Sequence, residues 1–179
     1  MNQIARLATA LSLVAIIPAV VQAQSTNGVH FNIAAGASLP TGDLGNVVDV
    51  GYALAVGIGV RQPASPLGFR VEGSYNEWSF SDNVFRGAKT HVGGVSANAT
   101  YDFMAPGTTR RGTSSGNTLY GIGGLGVFGT GNGGSNLGWN IGGGFKFPLS
   151  GFSAYFEARY HNVSSGDFSF VPITFGLEF

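Results

Sequence analysis

The sequence predicts an all-β fold: a closed antiparallel up-and-down transmembrane β-barrel of eight strands, preceded by a signal peptide. Three observations predict this fold. Apolar residues alternate with small or polar ones through eight segments, so each strand has one apolar face. Charged residues in the central part of these segments lie on the opposite face. Thirty of the 179 residues are glycine, and most lie among Val, Ile, Phe and Tyr.

The N-terminal segment 1–23 has the features of a secretory signal peptide. Arg6 supplies a positive charge, and Leu7 to Val21 is an uncharged, largely apolar run. A small-residue cleavage site ends at Ala23, so we expect Sec-type export and cleavage near this residue. A membrane anchor is the alternative, but the run is short for a spanning helix and Pro18 interrupts it. The remaining chain, 24–179, is expected to form one outer-membrane β-barrel domain.

Composition excludes several classes of function. The chain has no cysteine, which removes disulfides, metal thiolates and cysteine nucleophiles. Nine basic and nine acidic residues balance each other without a basic patch, so we expect no nucleic-acid partner. Glycine normally weakens strands, and its abundance fits a narrow barrel whose strands curve sharply and whose lumen has little room for side chains.

The eight predicted strands are each close to the roughly 9–11 residues that a tilted strand needs to cross a bilayer. They are 29–39, 51–62, 67–78, 92–103, 118–128, 137–147, 152–163 and 168–179. The connections after the second and sixth strands are short, whereas those after the odd-numbered strands are mostly longer. Outer-membrane barrels show this alternation of short periplasmic turns and longer outside loops. The polar segment 104–117 is the one departure.

The apolar residues set the phase of each strand, and the phase predicts which charges enter the lumen. The predicted lumen charge network is Arg61, Arg70, Glu72, Asp102, Lys146, Glu157, Arg159 and Glu178. Buried charges need partners or water, and an eight-stranded barrel is about filled by its side chains. We therefore expect salt bridges across the lumen, with Arg70, Glu72, Glu157 and Arg159 nearest the middle. The alternative is solvated charges in a water-filled lumen.

Three further patterns are weaker. Gly121 to Gly126 matches the dinucleotide fingerprint, but no helix follows it to hold a pyrophosphate, so we expect no cofactor. His161 and Ser164, with Glu157 nearby, invite a hydrolase interpretation, although no nucleophile elbow accompanies them and we expect no catalytic site. The histidine spacing predicts no metal site.

The run Phe156 to His161, the segment Gly36 to Asp43 and the terminal Phe179 complete a resemblance. With the signal sequence and the eight strands, they resemble the bacterial outer-membrane β-barrel domain family, which includes the small barrels of the outer membrane protein A and X type. The resemblance implies outer-membrane lipid, the barrel assembly machinery and periplasmic chaperones as partners. It also implies that the last strand is an assembly signal, read through Phe175, Leu177 and Phe179.

Four functions remain open at this stage. The leading hypothesis is a non-enzymatic outer-membrane protein whose barrel anchors outside loops near Leu39–Val50, Glu77–His91, Gly129–Asn136 and Val163–Phe168. The second loop is expected to contact an extracellular ligand through Trp78, Phe80, Phe85 and Arg86, because exposed aromatics and arginine are typical contact residues. The alternatives are a narrow pore or small-solute transporter, a lipid A-modifying hydrolase using His161, and a soluble lipocalin-like binder.

Overall fold

The computed structural model describes residues 28–61, 65–81, 88–103, 116–130, 134–164 and 168–179. The strands are β1 (Val29–Thr41), β2 (Gly51–Arg61), β3 (Leu67–Ser79), β4 (Lys89–Phe103), β5 (Thr118–Thr130), β6 (Ser135–Leu149), β7 (Phe152–Val163) and β8 (Phe168–Glu178). The signal peptide predicted over 1–23 lies outside the described residues. In the part of the chain described here, no helix is long and apolar enough to cross a membrane.

The strands form one closed barrel in which each strand pairs with its neighbours in sequence. All pairs are antiparallel, and β1 closes the sheet against β8, with Ala35 opposite Phe175. The predicted all-β, up-and-down, eight-stranded barrel is therefore confirmed. The largest differences in strand bounds are that β4 begins at Lys89, and that β6 extends two residues further at each end than expected.

The barrel is apolar outside and polar inside. Outward-facing Val71 and Leu125 are 50% and 71% exposed, and similar exposed Val, Ile, Leu and Phe residues cover every strand. Along β3 the inward positions alternate with them and are buried, including Arg70 and Glu72. A soluble lipocalin-like barrel requires the opposite arrangement. An apolar outer surface with charges in the lumen is the pattern of a transmembrane barrel.

Inward-facing glycines make room for large aromatic side chains. A Cβ on Gly144 would meet the ring and hydroxyl of Tyr120, and a Cβ on Gly176 would meet those of Tyr155. The Phe128 ring occupies the space left by the glycines at positions 94, 126 and 138. The inward-facing glycines thus allow large aromatic side chains to fill a narrow lumen.

The two ends of the barrel differ. We call the end with the connections after β1, β3, β5 and β7 the loop end, and the opposite end the turn end. At the turn end, Gly151 takes a left-handed conformation (φ 92°) in the tight connection between β6 and β7. At the loop end, a short 3-10 helix (Gly42–Asn46) follows β1, and Val48 then forms a β-bridge with Phe80. The first loop therefore lies across the mouth of the barrel.

Candidate functional site in the barrel lumen

Four charged side chains fill the centre of the lumen, and we call them the central quartet: Arg70 and Glu72 on β3, and Glu157 and Arg159 on β7. Each is at most 4% exposed. Because β3 and β7 lie opposite each other in the barrel and run in the same direction, the motifs Arg-Val-Glu and Glu-Ala-Arg place opposite charges face to face. Arg70 Nη2 lies 2.5 Å from Glu157 Oε2, and Arg159 pairs with Glu72.

Further contacts join the two cross-lumen pairs into one network. Arg159 Nε lies 2.8 Å from Glu157 Oε1, and Arg70 Nε lies 3.5 Å from Glu72 Oε2. The Tyr120 hydroxyl donates a hydrogen bond of 2.7 Å to Glu157 Oε2. The quartet carries two positive and two negative charges, so its formal charge is zero. Mutual pairing of this kind is what retains charges in an interior that excludes water.

Two tyrosines of this network were absent from the predicted site. Tyr120 contacts Glu157, and the guanidinium of Arg70 lies 5.8 Å from the centroid of the Tyr155 ring. The strand phase contained the signal, since both tyrosines follow the pattern of the inward positions. A prediction based on charge alone does not include them.

The other four predicted lumen charges form a second group near the turn end. Arg61 pairs with Asp102, and Lys146 Nζ lies 2.5 Å from Glu178 Oε1. His30 Nε2 also lies 3.6 Å from Glu178 Oε2. The side chains in these contacts are 12–23% exposed, in contrast to the 1–5% of the quartet. The structure thus divides the eight charges into a buried quartet and a partly exposed group.

An apolar cluster closes the loop end, and we call it the mouth cluster: Leu44, Val48, Trp78, Val92, Phe128, Val163 and Phe170. Leu44 and Val48 come from the first loop, so this loop helps to close the barrel at the loop end. The prediction that Trp78 is an exposed loop contact is wrong. Its side chain is 1% exposed and its indole N–H donates a 3.0 Å hydrogen bond to the carbonyl of Ser38.

The remaining predicted loop contacts have different placements. Phe80 is half-buried and packs against the mouth cluster, so part of its side chain is not available for an extracellular contact. Phe85 and Arg86 lie outside the described residues. The longer β4 shortens the second loop, because Lys89 already belongs to the strand and pairs with Glu77.

Among the described residues, His161 has no partners that would complete a catalytic triad. Its ring is 2% exposed and stacks on Phe170 at 4.9 Å, and neither ring nitrogen has a hydrogen-bond partner within the described residues. Glu157 is engaged by two arginines, and Ser164 is exposed beyond the end of β7. A nucleophile and base need to lie within hydrogen-bond reach of each other, and the part of the chain that the structure describes places no such pair around His161.

The three residues predicted as an assembly signal lie along the closing edge of the sheet. Phe175 is 44% exposed on the outer surface and packs edge-on against Phe156, with ring centroids 5.0 Å apart. Leu177 lies opposite Ile33 of β1. Phe179 exchanges two backbone hydrogen bonds of 2.8 and 2.9 Å with Phe31. The segment is thus fully paired with the first strand.

Two solved structures share this architecture. Neisserial surface protein A has a TM-score of 0.64 and 16% identity, over 84% of this chain and 96% of that protein. The outer membrane protein OprG of Pseudomonas aeruginosa has a TM-score of 0.51 and 14% identity, over 87% of this chain and 98% of that protein. No family model and no curated protein matches the chain. The fold is that of the small eight-stranded outer-membrane β-barrels.

Proposed function

We propose that the chain is an integral outer-membrane protein of a Gram-negative-type bacterium, and that its role is structural and surface-binding rather than enzymatic. The barrel anchors the outside loops in the membrane, and the loops at the loop end meet the extracellular ligand. The proposal rests on one observation: a quartet of paired, buried charges fills the centre of the lumen. A lumen closed in this way leaves the loop end as the surface available for function.

The apolar outer surface supports the membrane location. A soluble protein rarely exposes a contiguous apolar surface on every strand, since such surfaces drive association. Lipid removes this penalty, and the closed sheet pairs each strand with two neighbours, so that no strand edge is open to the lipid. The fold shared with Neisserial surface protein A is in line with this location.

The direct test is single-channel conductance of the purified chain, refolded in detergent and added to a planar bilayer. We expect no discrete current steps, because the quartet leaves no continuous path for hydrated ions. An open porin added to the same membrane serves as the positive control. Reproducible steps from this protein would favour the alternative, a narrow pore or small-solute transporter.

The pore alternative has one observation in its favour, the partial exposure of the charges near the turn end. Arg61 and Asp102 are 23% and 13% exposed in their side chains, so this part of the lumen is open to water. Conduction still requires the quartet to separate. Each quartet carboxylate contacts both arginines, so opening a path means breaking several contacts together.

The hydrolase alternative is tested by His161→Ala. We expect lipid A recovered from cells that express the variant to match lipid A from cells that express the wild-type chain. A modification that depends on His161 would overturn the non-enzymatic role. The barrel fold is monitored in parallel by its resistance to heat in detergent, so that loss of folding is not mistaken for loss of catalysis.

A further inference from the structure

The part of the lumen between the central quartet and the mouth cluster contains buried polar atoms that have no hydrogen-bond partner among the described residues. Within the described residues, the unpartnered buried atoms here are Ser38 Oγ, Asn76 Oδ1, Asn140 Oδ1, His161 Nδ1 and His161 Nε2. The four residues are at most 2% exposed. Buried polar groups in proteins are almost always hydrogen-bonded, so five orphaned atoms in one region require an explanation.

The sheet brings these residues together beneath the mouth cluster. Asn140 lies opposite His161 in the β6–β7 ladder, and His161 stacks on Phe170. Trp78 lies 5.1 Å from Phe170 and holds the Ser38 carbonyl through its indole N–H. Asn76 precedes Trp78 by two positions and therefore lies below it on the same inner face. We call this region the polar chamber.

Neither turning over the Asn140 amide nor changing the His161 tautomer supplies the missing partners. The amide of Asn140 already donates a 2.8 Å hydrogen bond from Nδ2 to Asn98 Oδ1, so turning the amide over would lose that bond. A neutral imidazole has one donor and one acceptor nitrogen. Both nitrogens of His161 are unpartnered, so neither tautomer is satisfied by the described residues.

The chemistry of the lining favours an uncharged guest. Donor and acceptor groups are mixed, since amide oxygens stand beside a hydroxyl and an imidazole. Arg159 lies two positions before His161 on the same inner face and also has an unpartnered Nη1, which opposes a cation. The acceptor oxygens of Asn76 and Asn140 oppose an anion. The quartet below is neutral overall.

We propose that the polar chamber is an internal water-binding site, in which ordered water supplies the hydrogen bonds that the described side chains do not. A buried water makes about three hydrogen bonds, so five orphaned atoms call for about two waters. The quartet bounds the site toward the turn end, and the mouth cluster bounds it toward the loop end. Water held there exchanges slowly with bulk solvent.

Nuclear magnetic resonance of the histidine-labelled protein in lipid nanodiscs tests the proposal. The chain has three histidines, so selective labelling gives three ring environments. We expect a cross-relaxation peak between water and the His161 ring with the sign of long-lived bound water. The exposed His91 serves as the control for contact with bulk solvent. A spectrum in which His91 contacts water and His161 does not would overturn the proposal.

Asn76→Leu provides a second readout, because leucine has the same branching but no polar atoms. In a hydrated chamber this change removes a ligand of the water, so the His161 peak weakens and the melting temperature falls. Without water it removes an orphaned polar group, so the melting temperature rises, which would contradict the proposal. Asn162→Leu on the outer face of β7 is the matched control and leaves the His161 peak unchanged. If Asn76→Leu does not fold, the wild-type spectrum decides.

Discussion

At the scale of single residues, the order of two short motifs determines which charges meet across the lumen. Arg70 and Glu72 are separated by one residue, as are Glu157 and Arg159, and the second motif reverses the order of the first. On strands that run in the same direction, this reversal pairs each arginine with a glutamate. The same motif on both strands would place like charges face to face, which is destabilising in a water-poor interior.

The first prediction concerns the removal of one carboxylate from the quartet. Glu157→Gln leaves both arginines with one carboxylate between them, and we expect it to lower the free energy of unfolding by about 3–5 kcal/mol. Urea unfolding in phospholipid vesicles measures this change. Glu77→Gln is the control, because Glu77 pairs with Lys89 in water outside the barrel, and we expect little effect there. Equal effects of the two substitutions would show that the quartet is solvated.

The second prediction concerns glycine as a space-making residue. In Gly144→Ala the new methyl group meets the Tyr120 ring and hydroxyl and the backbone of Phe156, so Tyr120 moves away from Glu157. We expect a loss of about 1–3 kcal/mol in the free energy of unfolding, the usual cost of overpacking. Gly73→Ala is the matched control on the outer face of β3, where the nearest atom lies 3.9 Å from the added Cβ. A cost at Gly73 as large as at Gly144 would point to a backbone effect instead.

For single residues, the sequence predicts which side of a strand a side chain faces but not which distant segments cover it. Strand phase alone predicted which charges face inward, because a period of two leaves a side chain only two directions. The same rule places Trp78 inside, on the face of Arg70 and Glu72, yet its position near a strand end suggested an exposed contact. The contacts that bury it come from distant segments, such as Leu44 of the first loop. Spacing along one strand carries no information about such contacts.

At the scale of elements, the strands were predictable and the first loop was not. Alternation sustained over ten or more residues identifies a strand, and all eight lie within a few residues of their predicted bounds. The 3-10 helix Gly42–Asn46 has no such repeat. Its Leu44 is buried only because the barrel mouth offers an apolar surface. Tertiary contacts rather than local preference therefore shape this loop.

The third prediction tests whether lipid covers the outer face of the strands. Val71 lies between Arg70 and Glu72 in sequence and so at the level of the quartet, whereas Leu149 ends β6. Their exposed fractions, 50% and 49%, are nearly equal. In vesicles, Val71→Arg is expected to cost about 2–4 kcal/mol of unfolding free energy, and Leu149→Arg about 0–1 kcal/mol. In a barrel whose outer face is exposed to water, the two substitutions would have similar effects on the free energy of unfolding.

The fourth prediction tests the last strand as an assembly signal. Phe179→Ala should reduce the amount of folded barrel in the outer membrane of cells while leaving refolding of the purified chain in detergent unchanged. Phe152→Ala is the matched control, because Phe152 and Phe179 form one ring contact with centroids 5.8 Å apart. Both variants lose this contact, but only Phe179 belongs to the proposed signal. If both variants lose the same amount of folded barrel in cells, the effect is due to the lost ring contact and not to an assembly signal.

At the scale of the whole molecule, the lumen has two barriers in series. The mouth cluster excludes water at the loop end by apolar packing, and the quartet fills the centre by paired charges. The two barriers respond to different changes, since one depends on ring volume and the other on electrostatic pairing. Transport through the barrel requires both to open together, whereas opening one exposes only a blind pocket.

The final prediction follows from this series arrangement. Trp78→Ala removes the largest side chain of the mouth cluster and its hydrogen bond to Ser38, yet the quartet remains closed beneath it. We therefore expect Trp78→Ala to be as silent as the wild-type chain in a planar bilayer, while the polar chamber exchanges its water faster with bulk solvent. Current steps from Trp78→Ala alone would show that ions pass the quartet, and the mouth cluster would then be the gate of a narrow pore.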